Sequence, residues 1–208
     1  MSNHLNQLFQ DEEIVQKIKD KMPPLFQLAE VENSRAGKLG MEIGSARERI
    51  IIALLMYKFG AQNVNTLSPI TQAEVDVLLF DTPISIKTIT GNLTGIKLVW
   101  TVDSKKALDF SINYRPTVDM LLAQINWGGE GWFYYFPKEC QLSVFEKLGK
   151  EGYIKLPKQG TNPRGVELSK QAVELLTKEE GILKIGINWS RLETTSGIYD
   201  RWVKLWED

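Results

Sequence analysis

The chain has 208 residues, with 25 Lys and Arg against 26 Asp and Glu, and its 43% hydrophobic content is enough apolar material for one sizeable core. A net charge of −1 argues against a protein held on nucleic acid by bulk charge alone, while leaving room for a basic groove on an otherwise acidic body. A single histidine, His4, and a single cysteine, Cys140, argue against Ser-His-Asp or Cys-His nucleophiles and His/Cys zinc sites, and they exclude an intrachain disulfide.

Catalysis would therefore fall to Asp, Glu and Lys, and through them to hard cations with oxygen ligands, Mg²⁺ first. No GxxxxGK[ST] or GxGxxG run supports ATP or dinucleotide binding. No apolar run reaches membrane-spanning length, and MSNHLNQLFQDEE lacks a signal-peptide core, so cytoplasmic residence is expected. No repeat, low-complexity tract or linker divides the chain, which predicts one domain over residues 1–208.

In the 11–30 stretch, Ile14, Val15 and Ile18 form an apolar stripe that predicts a helix stopped by Pro23-Pro24, with a second short helix over 25–31. SRAGKLGMEIG, at 34–44, reads as a glycine-punctuated loop carrying Arg35 and Lys38. SARERIIIALLMYKFG is the strongest helix. Ser45 and Glu48 fit a capping box, Gly60 ends it, and residues 50–56 are apolar nearly all round, which predicts burial. Glu48 carries two readings. It is helix punctuation, or it is a carboxylate one turn before Ile51, Ile52 and Leu55, costly on a core-facing side unless paired or metal-bound.

EVDVLLFDTPISIK, residues 74–87, reads as two strands joined by a tight turn. Alternation puts Glu74 and Asp76 on one face of the first strand, and Ser85 and Lys87 on the polar face of the second. With Asp81-Thr82 as a two-residue loop, Phe80 pairs with Pro83, Leu78 with Ser85, and Asp76 falls opposite Lys87. The pair is either a cross-strand ion pair, contributing ~0.2–1 kcal/mol, or an active site in which the carboxylate holds a divalent cation and the lysine assists a water or a developing charge.

Residues 91–95 read as a loop, and 96–103 as a third strand carrying Lys97. SKKALDFSINYRP is mixed and ends at Pro116, while 118–126 fits helix or strand equally by periodicity. A turn at 128–131 leads to a buried strand, WFYYF, and a short helix is expected over 141–150. In YIKLPKQGTNPRGVELSK, Lys155, Lys158, Arg164 and Lys170 face only one acid, Glu167. The 160–165 loop is either solvated surface or a base-reading loop, with Arg164 suited to guanine and Asn162 to adenine. Ser169 caps a following helix, 182–189 reads as a strand, and a final helix over 197–206 has a Trp202, Leu205, Trp206 stripe suited to core packing or a dimer contact.

A buried helix with Glu48, a strand with Asp76, a turn, and a strand ending in Lys87 together resemble the PD-(D/E)xK nucleases, whose largest group of this size is the type II restriction endonucleases. The resemblance covers about residues 45–103. Asp76 matches the first acid and Lys87 the lysine. The position two before the lysine, usually Asp or Glu, is Ser85 here; some members move that carboxylate to the preceding helix, where Glu48 sits, and Glu74 is the substitute. Within the superfamily the likeness extends to the ThaI-like branch of restriction enzymes, though no single motif carries it.

The resemblance implies an α/β (α+β) restriction-endonuclease-like core, a central mixed β-sheet flanked by helices. It implies Mg²⁺-dependent, sequence-specific hydrolysis of phosphodiester bonds in double-stranded DNA by a homodimer in a prokaryotic cytoplasm. Mg²⁺ would be held by Asp76, Glu48 and the Ile86 carbonyl, with Lys87 orienting the attacking water or stabilising developing charge and Ser85 supporting a water. Arg47 and Lys97 would contact DNA phosphates, Arg164 and Asn162 the bases, and Met41 the minor groove as an apolar wedge, with Lys38 and Lys158 as further DNA-binding residues. Two other classes stay open: a structure-selective repair or recombination nuclease with the same core, and a non-catalytic DNA-binding protein, which Ser85 allows.

Overall fold

A computed structural model of the chain describes residues 4–35, 38–39, 42–67, 74–99, 101, 103–156, 165–193 and 203. In order these form α1 (Asn6–Gln10), α2 (Glu12–Glu32), β1 (Ser34–Arg35), β2 (Lys38–Leu39), α3 (Ile43–Phe59), a 3₁₀ turn (Ala61–Asn63), β3 (Val64–Asn65), β4 (Val77–Leu79), β5 (Thr82–Thr90), β6 (Lys97–Val99), α4 (Ser104–Asn113), β7 (Asp119–Ile125), β8 (Glu130–Phe136), α5 (Lys138–Tyr153), β9 (Ile154–Lys155), β10 (Val166–Leu168), α6 (Lys170–Leu176) and β11 (Leu183–Asn188).

The central sheet is mixed and six-stranded, in the order β11-β8-β7-β5-β4-β3. β5 and β7 run parallel, and the other neighbours are antiparallel. Both faces are covered, as a sheet with a parallel centre requires. Leu121, Ala123 and Ile125 of β7 pack with Phe133 and Tyr135 of β8 against Leu8, Ile18, Phe26, Ile51 and Leu55 of α1, α2 and α3. Met120, Leu122, Tyr134 and Phe136 on the opposite face meet Ala107, Val144 and Leu176 of α4, α5 and α6. The ambiguous 118–126 stretch is thus a central strand, which its continuous apolar run suits.

β6 joins β10 and β9 in a separate three-stranded sheet rather than extending the central one, and among the described residues of the expected 96–103 strand only Lys97–Val99 lie in a ladder. Asp103 instead caps α4, accepting from the backbone amides of Lys105 at 2.9 Å and Lys106 at 3.2 Å. Ser169 caps α6 as expected, with its Oγ accepting from Ala172 N at 3.0 Å.

Two helix expectations are corrected. α2 runs through Pro23 and Pro24 instead of stopping there. The carbonyls those prolines leave without a donor belong to Lys19 and Asp20, which are exposed, so water can serve them. α3 begins at Ile43, and no side chain caps its start, so Ser45 and Glu48 are not a capping box. Nor is α3 buried all round. Arg47, Ile51 and Leu55 form its buried stripe, whereas Tyr57 is 62% exposed. The expected helix at 197–206 lies outside the described residues, apart from Val203.

The β4–β5 hairpin turns one residue earlier than expected. Val77 pairs with Ile84, Leu78 with Pro83 and Leu79 with Thr82, so the loop is Phe80-Asp81 rather than Asp81-Thr82. Both loop residues have positive φ, 47° and 60°, the backbone of a type I′ turn. Continuing that ladder puts Asp76 opposite Ser85 and Glu74 opposite Lys87. The register is therefore two residues from the expected one. Because side chains alternate with period two, Asp76 and Lys87 still share a face.

Asp81 holds a left-handed conformation that glycine adopts without steric penalty. Asp81→Gly should therefore stabilise the protein, by on the order of 0.5 kcal/mol once the left-handed penalty is set against the entropy of glycine, in equilibrium denaturation. A loss of stability would show that the Asp81 side chain, not the turn backbone, holds the hairpin.

Candidate active site

Asp76 lies just before β4, with its own amide bonded to Ile84 O at 3.0 Å. Its Oδ2 accepts from three groups of β5: Ile86 N at 2.6 Å, Lys87 Nζ at 3.0 Å and Ser85 Oγ at 3.3 Å. One strand thus orients one carboxylate oxygen, and none of these three bonds uses Oδ1. The pair is largely withdrawn from solvent, the lysine side chain being 13% and the aspartate 23% exposed. Ser85 itself is buried.

A cleft of about 450 Å³ opens onto this pair, lined by Glu48 and Gly44 of α3, Lys87 and Thr88 of β5, Asp76, and residues 95–99 of the β6 segment. Burial, and then the Asp76 charge, push the Glu48 carboxyl up to about 7, with Lys87 and Arg49 pulling the other way. Glu48 therefore lies within electrostatic reach of both members of the pair. The punctuation reading of Glu48 does not hold, because α3 starts five residues before it. Glu74 is also pushed up to about 7, chiefly by burial, against the pull of Tyr114, Lys87 and Thr117. It is absent from the cleft lining, so Glu48 is the better placed of the two candidate acids.

Among the described residues no three His, Cys, Asp or Glu side chains converge on one metal position. Two carboxylates, Asp76 and Glu48, face one cleft. An extended residue sends its N–H and C=O to the same edge of a strand. The Ile86 carbonyl thus leaves β5 on the side where Ile86 N meets Asp76. This donor set fits Mg²⁺, which commonly takes one or two carboxylates and keeps several waters for exchange with phosphate oxygens.

The other expected contacts divide. Lys97 lines the cleft and is ion-paired with Glu167, the one acid of the basic 153–170 stretch. Arg47 is a correction. It is only 4% exposed, its guanidinium donating to Glu30 Oε1 at 2.5 Å and Thr90 Oγ1 at 3.1 Å, so it is a core cation and not a phosphate contact. Met41, Lys158, Asn162 and Arg164 lie outside the described residues, as does the side chain of Lys38. The ends of the 157–164 segment are described: β9 and β10 pair antiparallel, with Glu167 opposite Lys155, and β10 pairs in turn with β6 at the cleft. Thr88 was not expected at the cleft, nor Glu167 as the partner of the cleft-lining Lys97. Glu167 had a signal, as a lone acid among cations; Thr88 had only its place next to Lys87.

Residues 8–208 match the family described as "Restriction endonuclease ThaI". A solved structure described as "Restriction endonuclease in complex with substrate DNA" is 51% identical, superposes with a TM-score of 0.91, and covers 99% of this chain and 99% of its own. No curated protein sequence matches the chain. With nearly the whole length matched and a mixed sheet carrying an Asp-Lys pair beside a helical glutamate, the chain belongs to the ThaI family of restriction endonucleases.

Proposed function

We propose that this type II restriction endonuclease hydrolyses phosphodiester bonds of double-stranded DNA in the cleft between α3, β5 and β6, with Mg²⁺ held by Asp76, Glu48 and the Ile86 carbonyl. The observation that carries this reading is the Asp76–Lys87 contact at 3.0 Å facing Glu48 across one cleft. The related structure described as bound to substrate DNA supports duplex DNA as the substrate. Bound Mg²⁺ would supply a Lewis acid at the scissile phosphate and a lowered pKa for water.

The chain's own groups do the rest. Asp76 is locked by three donors on Oδ2, so its orientation is preset and little reorganisation accompanies binding. Glu48 faces the same cleft with its carboxyl pushed up to about 7, so it shifts between protonated and charged forms near neutral pH. Lys87 is steered by Asp76 and stands at the cleft, where its ammonium can hold the attacking water or meet charge developing on the phosphate. Lys97 offers a phosphate contact at the same cleft. Sequence reading is assigned to the 160–165 loop, through Arg164 and Asn162, with Lys158 and Lys38 on phosphates and Met41 in the minor groove. A palindromic site implies a two-fold homodimer, and among the described residues no helix is long and apolar enough to cross a membrane.

Asp76→Ala and Lys87→Ala should each abolish Mg²⁺-dependent cleavage of plasmid DNA while keeping the fold and DNA binding. Wild-type cutting by either purified variant refutes the assignment. Arg164→Ala should weaken discrimination between the recognition site and its single-base variants by ~1–3 kcal/mol, and unchanged discrimination in competition cleavage would return that segment to plain surface.

A third test uses pH. The ordinary Glu48 value is 4.5 and the folded one about 7, so between them the folded chain holds a proton that the unfolded chain lacks. This contribution to stability is complete below the unfolded value and is lost as pH rises through the folded one. Metal-free wild type should therefore lose more thermal stability than Glu48→Gln between about pH 5 and 7.5. Added Mg²⁺ should recover that difference at the upper end. Parallel pH profiles for the two proteins would deny Glu48 its buried, acid-repelled position.

A further inference from the structure

We propose that Glu30 and Arg47 form a positioning brace that sets Glu48 against Lys87; the inference rests on the reading of Glu48 as a metal ligand given above. Arg47 precedes Glu48 on α3. One arm of its guanidinium donates to Glu30 Oε1 of α2 at 2.5 Å, and the other donates to Thr90 Oγ1 at 3.1 Å. Thr90 is the last residue of β5, three beyond Lys87. The Arg47–Thr90 bond therefore ties the helix that presents Glu48 directly to the strand that presents Lys87. Glu30 anchors the brace from behind. It is 3% exposed, and it also accepts from Trp127 Nε1 at 2.8 Å and from Arg191 at 2.7 Å.

Stability alone explains this cluster poorly. A buried ion pair loses much of its attraction to desolvation, and a well-packed apolar residue of similar size often serves the fold as well. Arg47 Nε, moreover, is buried without a partner among the described residues. What a forked guanidinium gripped at both ends supplies is direction. Consecutive helix residues point about 100° apart, at 3.6 residues per turn. Pinning Arg47 towards Glu30 and Thr90 therefore fixes the rotation of α3 about its axis, and with it where the Glu48 carboxylate points.

Four variants separate positioning from packing, with Glu48→Gln measured beside them. Thr90→Val keeps the shape of an exposed strand residue but removes the hydroxyl that receives Arg47. Thr90→Ser restores that hydroxyl. Arg47→Met removes the whole bridge. Arg191→Met takes a different cation from Glu30 and leaves the Arg47–Thr90 bond in place. Mn²⁺ affinity of the metal-free protein, read by electron paramagnetic resonance, should fall roughly tenfold in Thr90→Val and Arg47→Met. The Mg²⁺ needed for half-maximal plasmid cleavage should rise by a similar factor. Thr90→Ser should bind Mn²⁺ like wild type, and Arg191→Met should lower Tm without changing Mn²⁺ affinity. Wild-type Mn²⁺ affinity in folded Thr90→Val and Arg47→Met, with binding lost in Glu48→Gln, overturns the brace alone. Wild-type affinity in Glu48→Gln as well removes Glu48 as a ligand and overturns both readings.

Discussion

The interaction on which the rest of the site depends is the grip of β5 on one oxygen of Asp76. A backbone amide, a hydroxyl and an ammonium, from three consecutive residues, converge on Oδ2. The amide bond is the short one at 2.6 Å, and the ammonium at 3.0 Å adds its charge. They hold the carboxylate still while steering Lys87 towards the cleft. Ser85 takes on a different meaning in this light. It stands where an acid is usual in the nucleases the hairpin resembles, and it is buried, donating to the very carboxylate that remains. A second carboxylate at that position would face Asp76 across the ladder and add like-charge repulsion at close range. Its replacement by a donor, with the acid supplied from α3, removes that conflict.

The fold makes this arrangement possible by covering both faces of the central sheet while leaving β5 reachable beyond the end of β4. Among the described residues β4 pairs only through Val77–Leu79, so β5 beyond Ile84 has no β4 partner, and its Lys87 and Thr88 line the cleft. α3 closes one side and the β6 segment the other. The 157–164 segment leaves from β9 and returns through β10, and β10 pairs with β6. A segment assigned to base reading is thus linked by strand pairing, and by the Lys97–Glu167 ion pair, to the wall of the cleft. The electrostatics follow the same plan. Glu48 and Glu74, both raised to about 7, are acids that a divalent cation or an ammonium would settle.

What could be read from sequence, and what could not, follows from the range of each interaction. Alternation along 74–87 is local, so it placed Asp76 and Lys87 on one face even though the turn was assigned one residue too late. The turn itself was misjudged because Asp81-Thr82-Pro83 has good turn chemistry, whereas Phe80 in the left-handed region is a conformation that bulky residues rarely hold. The capping box failed because Ile43 and Gly44 continue α3 upstream, and the proline stop failed because the freed carbonyls sit in water. Arg47 is misread as a DNA contact because its partner Glu30 lies 17 residues away on another helix, a contact no local pattern reveals. Family membership sets aside the structure-selective alternative and the non-catalytic one that Ser85 had left open.

The most direct test of this account is a crystal structure of the protein with duplex DNA carrying its site and Mn²⁺ in place of Mg²⁺, read by anomalous scattering. The account places a strong peak at coordination distance from both Asp76 and Glu48, with the scissile phosphate beside it and the Lys87 ammonium on the same side. A peak held by Glu74 instead of Glu48, or a phosphate that approaches the protein elsewhere while the cleft stays free of metal, would contradict it.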